Sequence, residues 1–146
     1  MPDVIDKVMN WLQQMGIPSN VITRVSDQPR LVFNYEIKGH PQIFQLQIVA
    51  SNEWINAKAL VAQIGSLHTE ERAELFENVL IANWELNEVT YSVDPDQRNL
   101  WCETDMPADS TFDNFKVEFT SIPFGIEYFV TKIAPKINFQ VTSTAG

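Results

Sequence analysis

Residues 4 to 15 set Val4, Ile5, Val8, Trp11, Leu12 and Met15 at the spacing of a single helix face. Asp3 stands where an N-cap belongs, Asp6 falls in the first turn, where a carboxylate suits the helix dipole, and Gly16 and Pro18 end the pattern. From residue 20 the period drops to two. Val21, Thr23 and Val25 predict a short first strand. Leu31, Phe33, Tyr35 and Ile37 alternate with Val32, Asn34, Glu36 and Lys38. Beyond the turn signals Gly39 and Pro41, Phe44, Leu46 and Ile48 alternate with Gln45, Gln47 and Val49. This is the pattern of an antiparallel meander, apolar on one face and wetter on the other. Residues 54–64 fit both periods: Ile55, Ala57, Ala59 and Val61 alternate, while Trp54, Ala57, Val61 and Ile64 trace a helix face. They are read as a strand, because the meander leaves a sheet edge to fill.

Gly65 breaks that element, and Thr69 is the expected cap of a second helix with Glu70 and Glu71 in its first turn. Leu75, Phe76, Val79, Leu80 and Asn83 form its expected inner stripe. Val89, Tyr91 and Val93, the turn Asp94-Pro95-Asp96-Gln97, and Leu100, Cys102 and Thr104 predict a hairpin. Pro107 ends it, and Asp109 or Ser110 is the expected cap of the last helix. There Phe112, Phe115, Phe119, Ile122, Ile126, Phe129 and Ile133 alternate three- and four-residue steps straight through Pro123. The unbroken register predicts one stripe on one helix kinked at Pro123, stopped by Pro135. The expected architecture is α+β: a two-layer sandwich with an antiparallel sheet of five or six strands, order α-β-β-β-(β)-α-β-β-α, and the helices mainly on one face. Residues 1–137 are expected to form a single domain and 138–146, which lack Lys, Arg, Asp and Glu, a C-terminal tail.

Composition narrows the function classes. A chain of 146 residues buries about two-thirds of its unfolded surface, enough to need no disulfide or metal staple. The net charge of -9 argues against nucleic acid and against an anionic membrane, both of which attract clustered Lys and Arg. The charge is uneven, since residues 69–127 hold fourteen acids and three bases. One cysteine, Cys102, forms no internal disulfide and suits a reducing compartment. No apolar run reaches a membrane span, and Met1-Pro2-Asp3 lacks a basic leader region, so a cytoplasmic location is expected.

Chemistry-bearing motifs are few. The five glycines form neither GxGxxG nor a phosphate loop. His40 and His68 both flank turns and have no metal-ligand spacing. Cys102 shares parity with Leu100 on an inward strand face, where a cysteine acts as a small hydrophobe rather than a nucleophile. Asp94, Asp96 and Asp105 imitate part of a calcium loop, but Arg98 and Asn99 occupy the places of a ligand and the required glycine. No catalytic, cofactor-binding or metal-binding residue is therefore assigned. A small enzyme or ligand-binding domain using Cys102 or the Asp94–Asp105 acids is the alternative to a protein-binding module.

What stands out are apolar residues on the wetter face. By parity that face receives Val32, Val49, Trp54, Leu60 and Trp101, the last beside Glu103 and Asp105. The middle helix or the tail would cover them, or a partner or second subunit would. Trp54, Leu60, Trp84 and Trp101 are accordingly the candidate partner or dimer surface.

The element order resembles the type III secretion chaperone-like fold, including the YbjN-like family of sensory-transduction regulators and related small cyanobacterial proteins. The residues that carry the likeness are the strand Trp54-Ile55-Asn56-Ala57-Lys58-Ala59-Leu60, and the helix from Leu75 to Leu86 running directly into Val89-Thr90-Tyr91-Ser92-Val93. The strand Leu100 to Asp105, the Met106-Pro107 stop and the long last helix complete it. The likeness spans roughly residues 3 to 135. It implies a small, acidic, non-enzymatic homodimer that holds a stretch of a protein client, with no cofactor.

Overall fold

The phenylalanine stripe near the end of the chain lies across one face of a sheet built by the middle. The computed structural model describes residues 3–25 and 28–145; Met1, Pro2, Ser26, Asp27 and Gly146 lie outside the described residues, and with them most of the leader reading and the last residue of the tail. The elements are α1 (Val4–Gln14), β1 (Thr23–Arg24), β2 (Arg30–Glu36), β3 (Ile43–Ala50), β4 (Trp54–Gln63), α2 (Thr69–Glu85), β5 (Thr90–Val93), β6 (Asn99–Pro107) and α3 (Phe112–Tyr128). All six strands form one antiparallel sheet in the order β1-β2-β3-β4-β6-β5. The α+β sandwich expected from the pattern is the observed fold, and residues 54–63 are a strand at its centre.

Period two explains which residues meet the helices. Leu31, Phe33, Phe44, Leu46 and Ile48 are buried on the inner face, with Ile55, Ala57 and Ala59 from β4 and Leu100 and Cys102 from β6. Phe115, Phe119, Ile122, Ile126 and Phe129 are buried against them, and Phe33 and Phe119 sit with ring centroids 6.1 Å apart. Trp11 of α1 closes the other flank, 5.1 Å from the Phe115 ring. Phe112, expected among the buried residues, is half-buried at the start of the helix.

The helix runs through Pro123 and widens into a π-helical turn over Phe129–Ile133, where the Ala134 N–H reaches back to the Phe129 carbonyl. The stripe stays buried to Ile133. Two side groups set how closely α3 approaches the sheet. A Cβ at Gly125 would overlap Cys102 Sγ and press on both Val89 methyls, so only glycine allows this approach. Tyr91 Oη donates to the Gly125 carbonyl at 2.5 Å, tying the edge strand to the helix backbone.

Several boundaries differ from the sequence reading, each because a local bond won. The first strand shrinks to Thr23–Arg24, since Ser19–Val21 forms a 3-10 turn. His68, not Thr69, is the N-cap of α2; its N–H donates to Glu71 Oε1 at 3.2 Å. Thr111, not Asp109 or Ser110, caps α3, its hydroxyl accepting from the Asn114 N–H at 3.2 Å. Asp3 does occupy the N-cap of α1, but its side chain pairs with Arg24 at 3.6 Å instead of bonding the helix. On α2 the buried stripe is Leu75, Val79 and Ala82, and Leu80 faces solvent.

Candidate partner surface

Among the described residues no helix covers the other face of the sheet. Cross-strand register sets its side chains in rows: Asn34, Gln45, Leu60, Trp101 and Ser92 in one, and Val32, Gln47, Lys58, Glu103 and Thr90 in the next. A third row runs through Arg30, Val49, Asn56 and Asp105. Antiparallel partners have Cβ atoms about 5 Å apart, so residues of a row touch. Trp101 is half-buried in this surface, with Lys58 Nζ 4.8 Å from its ring centroid. That contact screens one side of the indole with a hydrated cation.

The two acids beside it are held by polar neighbours. Asn56 Nδ2 donates to Glu103 Oε1 at 3.1 Å and to Asp105 Oδ1 at 2.8 Å, and Ser92 Oγ donates to Glu103 Oε2. On this face Arg30 and Lys58 stand on β2 and β4, Glu103 and Asp105 on β6, and Glu36 at the far end of β2.

Leu60, which faces this surface, is only 7% exposed because of the tail. The ladder between β3 and β4 stops at Gln45↔Leu60, and β4 bulges between Leu60 and Ala62 against β6. Residues 143–145 fill the break. The Thr144 hydroxyl accepts from the Gln45 N–H at 3.1 Å and donates to the Leu60 carbonyl at 2.6 Å, standing in for the missing ladder bond. Ser143 Oγ accepts from the Ile43 N–H, and the Thr144 N–H donates to the Ile43 carbonyl.

The four residues singled out from the sequence therefore fall in different settings. Leu60 and Trp101 are direct cross-strand partners. Trp54 shares their face but sits six residues along β4, roughly 20 Å away at strand rise, and is 55% exposed. Trp84 stands 89% exposed on α2, a helix packed beside β5 and the segment after α3. It joins Leu80 and Ile81 in a second apolar region at the edge of the molecule. The Leu80/Trp84 spacing, flanked by Glu77 and Glu85, was the available sequence signal for that region.

The two groups considered for catalysis fall in different settings: Cys102 is sealed in the core, whereas Asp94 is half-buried and Asp96 and Asp105 are exposed. Cys102 is fully buried under α3, its Sγ 3.8 Å from the Ile122 carbonyl, and burial pushes its thiol far above the ordinary range. Asp94 closes its own turn: Oδ1 accepts from the Arg98 and Asn99 N–H groups and Oδ2 from Asn99 Nδ2. Desolvation works against ionisation there, yet those hydrogen bonds outweigh it and hold the carboxyl low. Among the described residues no group of three or more His, Cys, Asp or Glu could hold a metal ion. Sequence reasoning missed one titrating contact. Glu118 of α3 accepts from the buried Thr104 hydroxyl at 2.6 Å; burial first, then Glu88, raise its pKa above the carboxylate norm.

With this arrangement in hand, comparison with solved structures is informative. YbjN from E. coli, a candidate transcription regulator, superposes with a TM-score of 0.67 over 94% of each chain at 14% identity. The chain has the secretion-chaperone-like fold. A chain of the ExsC–ExsE complex matches with a TM-score of 0.61 at 14% identity, over 88% of this chain and 94% of that one. A chain of the HopA1–SchA chaperone–effector complex gives 0.50 at 11%, over 85% and 91%. No family model and no curated protein sequence matches. The shared fold is thus legible in three dimensions at identities too low for sequence comparison.

Proposed function

We propose that this chain is a non-enzymatic protein-binding module, a chaperone-like or regulatory adaptor, acting in the cytoplasm as a homodimer through the open face of its sheet. The observation that carries the reading is Trp101, half-buried on a helix-free face one strand in from the β5 edge, with Lys58 on the neighbouring strand and Glu103 and Asp105 on its own. Tryptophan inside a polar rim is the composition of an interface anchor. An isologous dimer needs a surface complementary to itself. A two-fold axis along the strands, between β4 and β6, would set Lys58 of one copy against Glu103 of the other, matching opposite charges. Two solved chains of similar fold come from complexes with a second protein, which supports a protein-binding role. The sealed Cys102 thiol suits a reducing compartment.

Sedimentation velocity across micromolar concentrations tests this. The wild type is expected to move toward dimer mass with concentration, and Trp101→Ala to weaken association at least about tenfold, the loss of an anchor worth more than 1 kcal/mol, with circular dichroism unchanged. A wild type that stays monomeric throughout overturns the dimer. Equal association of the variant overturns the face.

A further inference from the structure

The segment after α3 reaches a part of the sheet that the strands leave open. Beyond the Gln45↔Leu60 pair, β3 and β4 separate. β4 bulges and follows β6 through Ala62↔Leu100 and Gln63↔Asn99, while Ile43 at the start of β3 stays beside Glu36 of β2. Residues 141–145 occupy the fork between them. Besides the bonds from Ser143 and Thr144, the Ala145 N–H donates to the Ile43 carbonyl at 3.1 Å, and Gln42 Nε2 donates to the Val141 carbonyl at 3.3 Å. Just before the fork, Phe139 stands edge-on to Phe129, with ring centroids 5.8 Å apart.

Two features make this seat reversible. The first is the chemistry of Thr144. Its hydroxyl accepts from the Gln45 N–H and donates to the Leu60 carbonyl, which is what a bridging water does. When the segment leaves, one water restores both bonds, so neither strand keeps an orphaned polar group. A water replaces the Ser143 hydroxyl on the Ile43 N–H in the same way. The second is the cover itself. Leu60 points to the open face of the sheet yet is 7% exposed, and its cross-strand partner there is Trp101. Withdrawal of the segment therefore bares an apolar side chain beside the residue that already stands out on that face. Residues 138–146 carry no ionisable side chain, so the seat is controlled neither by pH nor by salt but by competition for Leu60.

We propose that residues 141–145 form a releasable strap, which keeps Leu60 covered while seated in the β3–β4 fork and, on withdrawal, lets Leu60 and Trp101 form one apolar patch on the open face. Phe139 keeps its contact with Phe129, so the strap moves as a short arm and α3 stays intact. A partner that covers Leu60 offsets the burial lost by the strap, so binding on this face and release of the strap favour each other reciprocally. The inference rests on the protein-binding reading of the open face only for what the bared patch engages.

Hydrogen exchange on the full chain tests the strap. Thr144→Val keeps the shape of the side chain and removes both hydroxyl bonds. The Gln45 and Ile43 amides are then expected to exchange at least about tenfold faster than in wild type, with the amides of the β4–β6 ladder unchanged. Thr144→Ser, which keeps the hydroxyl, should restore slow exchange. A Gln45 amide that exchanges in wild type only in step with the β4–β6 ladder, or that is indifferent to Thr144→Val, overturns the proposal. Anilinonaphthalene sulfonate, a dye that brightens on apolar surface, should gain fluorescence on Thr144→Val and lose that gain when Leu60→Asn is added. No gain, or a gain that survives Leu60→Asn, overturns the cover of Leu60. Sedimentation of the same variants separates this from the dimer. Association that tightens in Thr144→Val supports the strap as a gate, and a dimer that forms equally in wild type and variant overturns it. If both stay monomeric while the dye reports a bared Leu60, the open-face dimer fails and the strap stands.

Discussion

The two faces of one sheet are made from the same strands, yet they behave as different materials. Under α3, alternate residues are buried to within a few per cent, and the helix comes so close over Cys102 that Gly125 has no room for a methyl group. One residue along each strand, the opposite face keeps Gln45, Gln47, Lys58 and Trp101 half in water, cross-linked by hydrogen bonds and a cation–π contact. The difference teaches which face carries the stability. The inner face holds the fold, and most of the outer face stays half in water.

Substitutions on the two faces sharpen that contrast. Phe115→Ala, on the fully buried stripe, should cost about 3–5 kcal/mol in urea denaturation, the usual loss for a buried aromatic. Gly125→Ala should cost about 1–3 kcal/mol by overpacking, and Cys102→Ala in the same chain should recover part of it, because the thiol is the nearest obstacle. A cycle with no coupling between the two sites would show that the helix shifts to relieve the clash, and that the inner face is looser than it looks. Trp101→Ala should change monomer stability by only about 1 kcal/mol, roughly the worth of an exposed cation–π pair, so its main effect is on association. A loss near that of Phe115→Ala would place Trp101 in the core and erase the contrast.

The smallest effect is one of pH. The raised pKa of Glu118 means that the folded state holds this proton more tightly than the unfolded chain does. Its stabilising contribution is complete below the ordinary carboxylate pKa and is lost as pH rises through the raised value. Glu118→Gln, which keeps an acceptor for Thr104 and offers a donor to Glu88, should therefore be more stable than wild type at neutral pH. That advantage should shrink as pH falls through the carboxylate range, as followed by thermal melts at stepped pH. An advantage that grows on acidification would reverse the sign and remove Glu118 from this role.

The period of the hydrophobic residues by itself determined the architecture. Leu31 to Ile48 at period two and Phe112 to Ile133 at the helical period each need an apolar partner, and each supplies one to the other. The same alternation put Trp101, Glu103 and Lys58 on one face and Cys102 on the opposite one, because a strand has no other way to point its side chains. What alternation could not decide was which outward residues stay outward. Leu60 is covered because β4 bulges and leaves Gln45 and Leu60 without a ladder bond, which Thr144, a residue with no charge or pattern to announce it, supplies from 84 positions away. Leu80 fits the apolar stripe of α2 by spacing, yet it faces solvent, because the rotation of that helix is set by Asn83 on the edge strand and by Arg72 on the turn. Periodicity reports the direction of side chains within an element, whereas cover and helix rotation depend on hydrogen bonds between elements far apart in the chain, and these exist only once the sheet has formed.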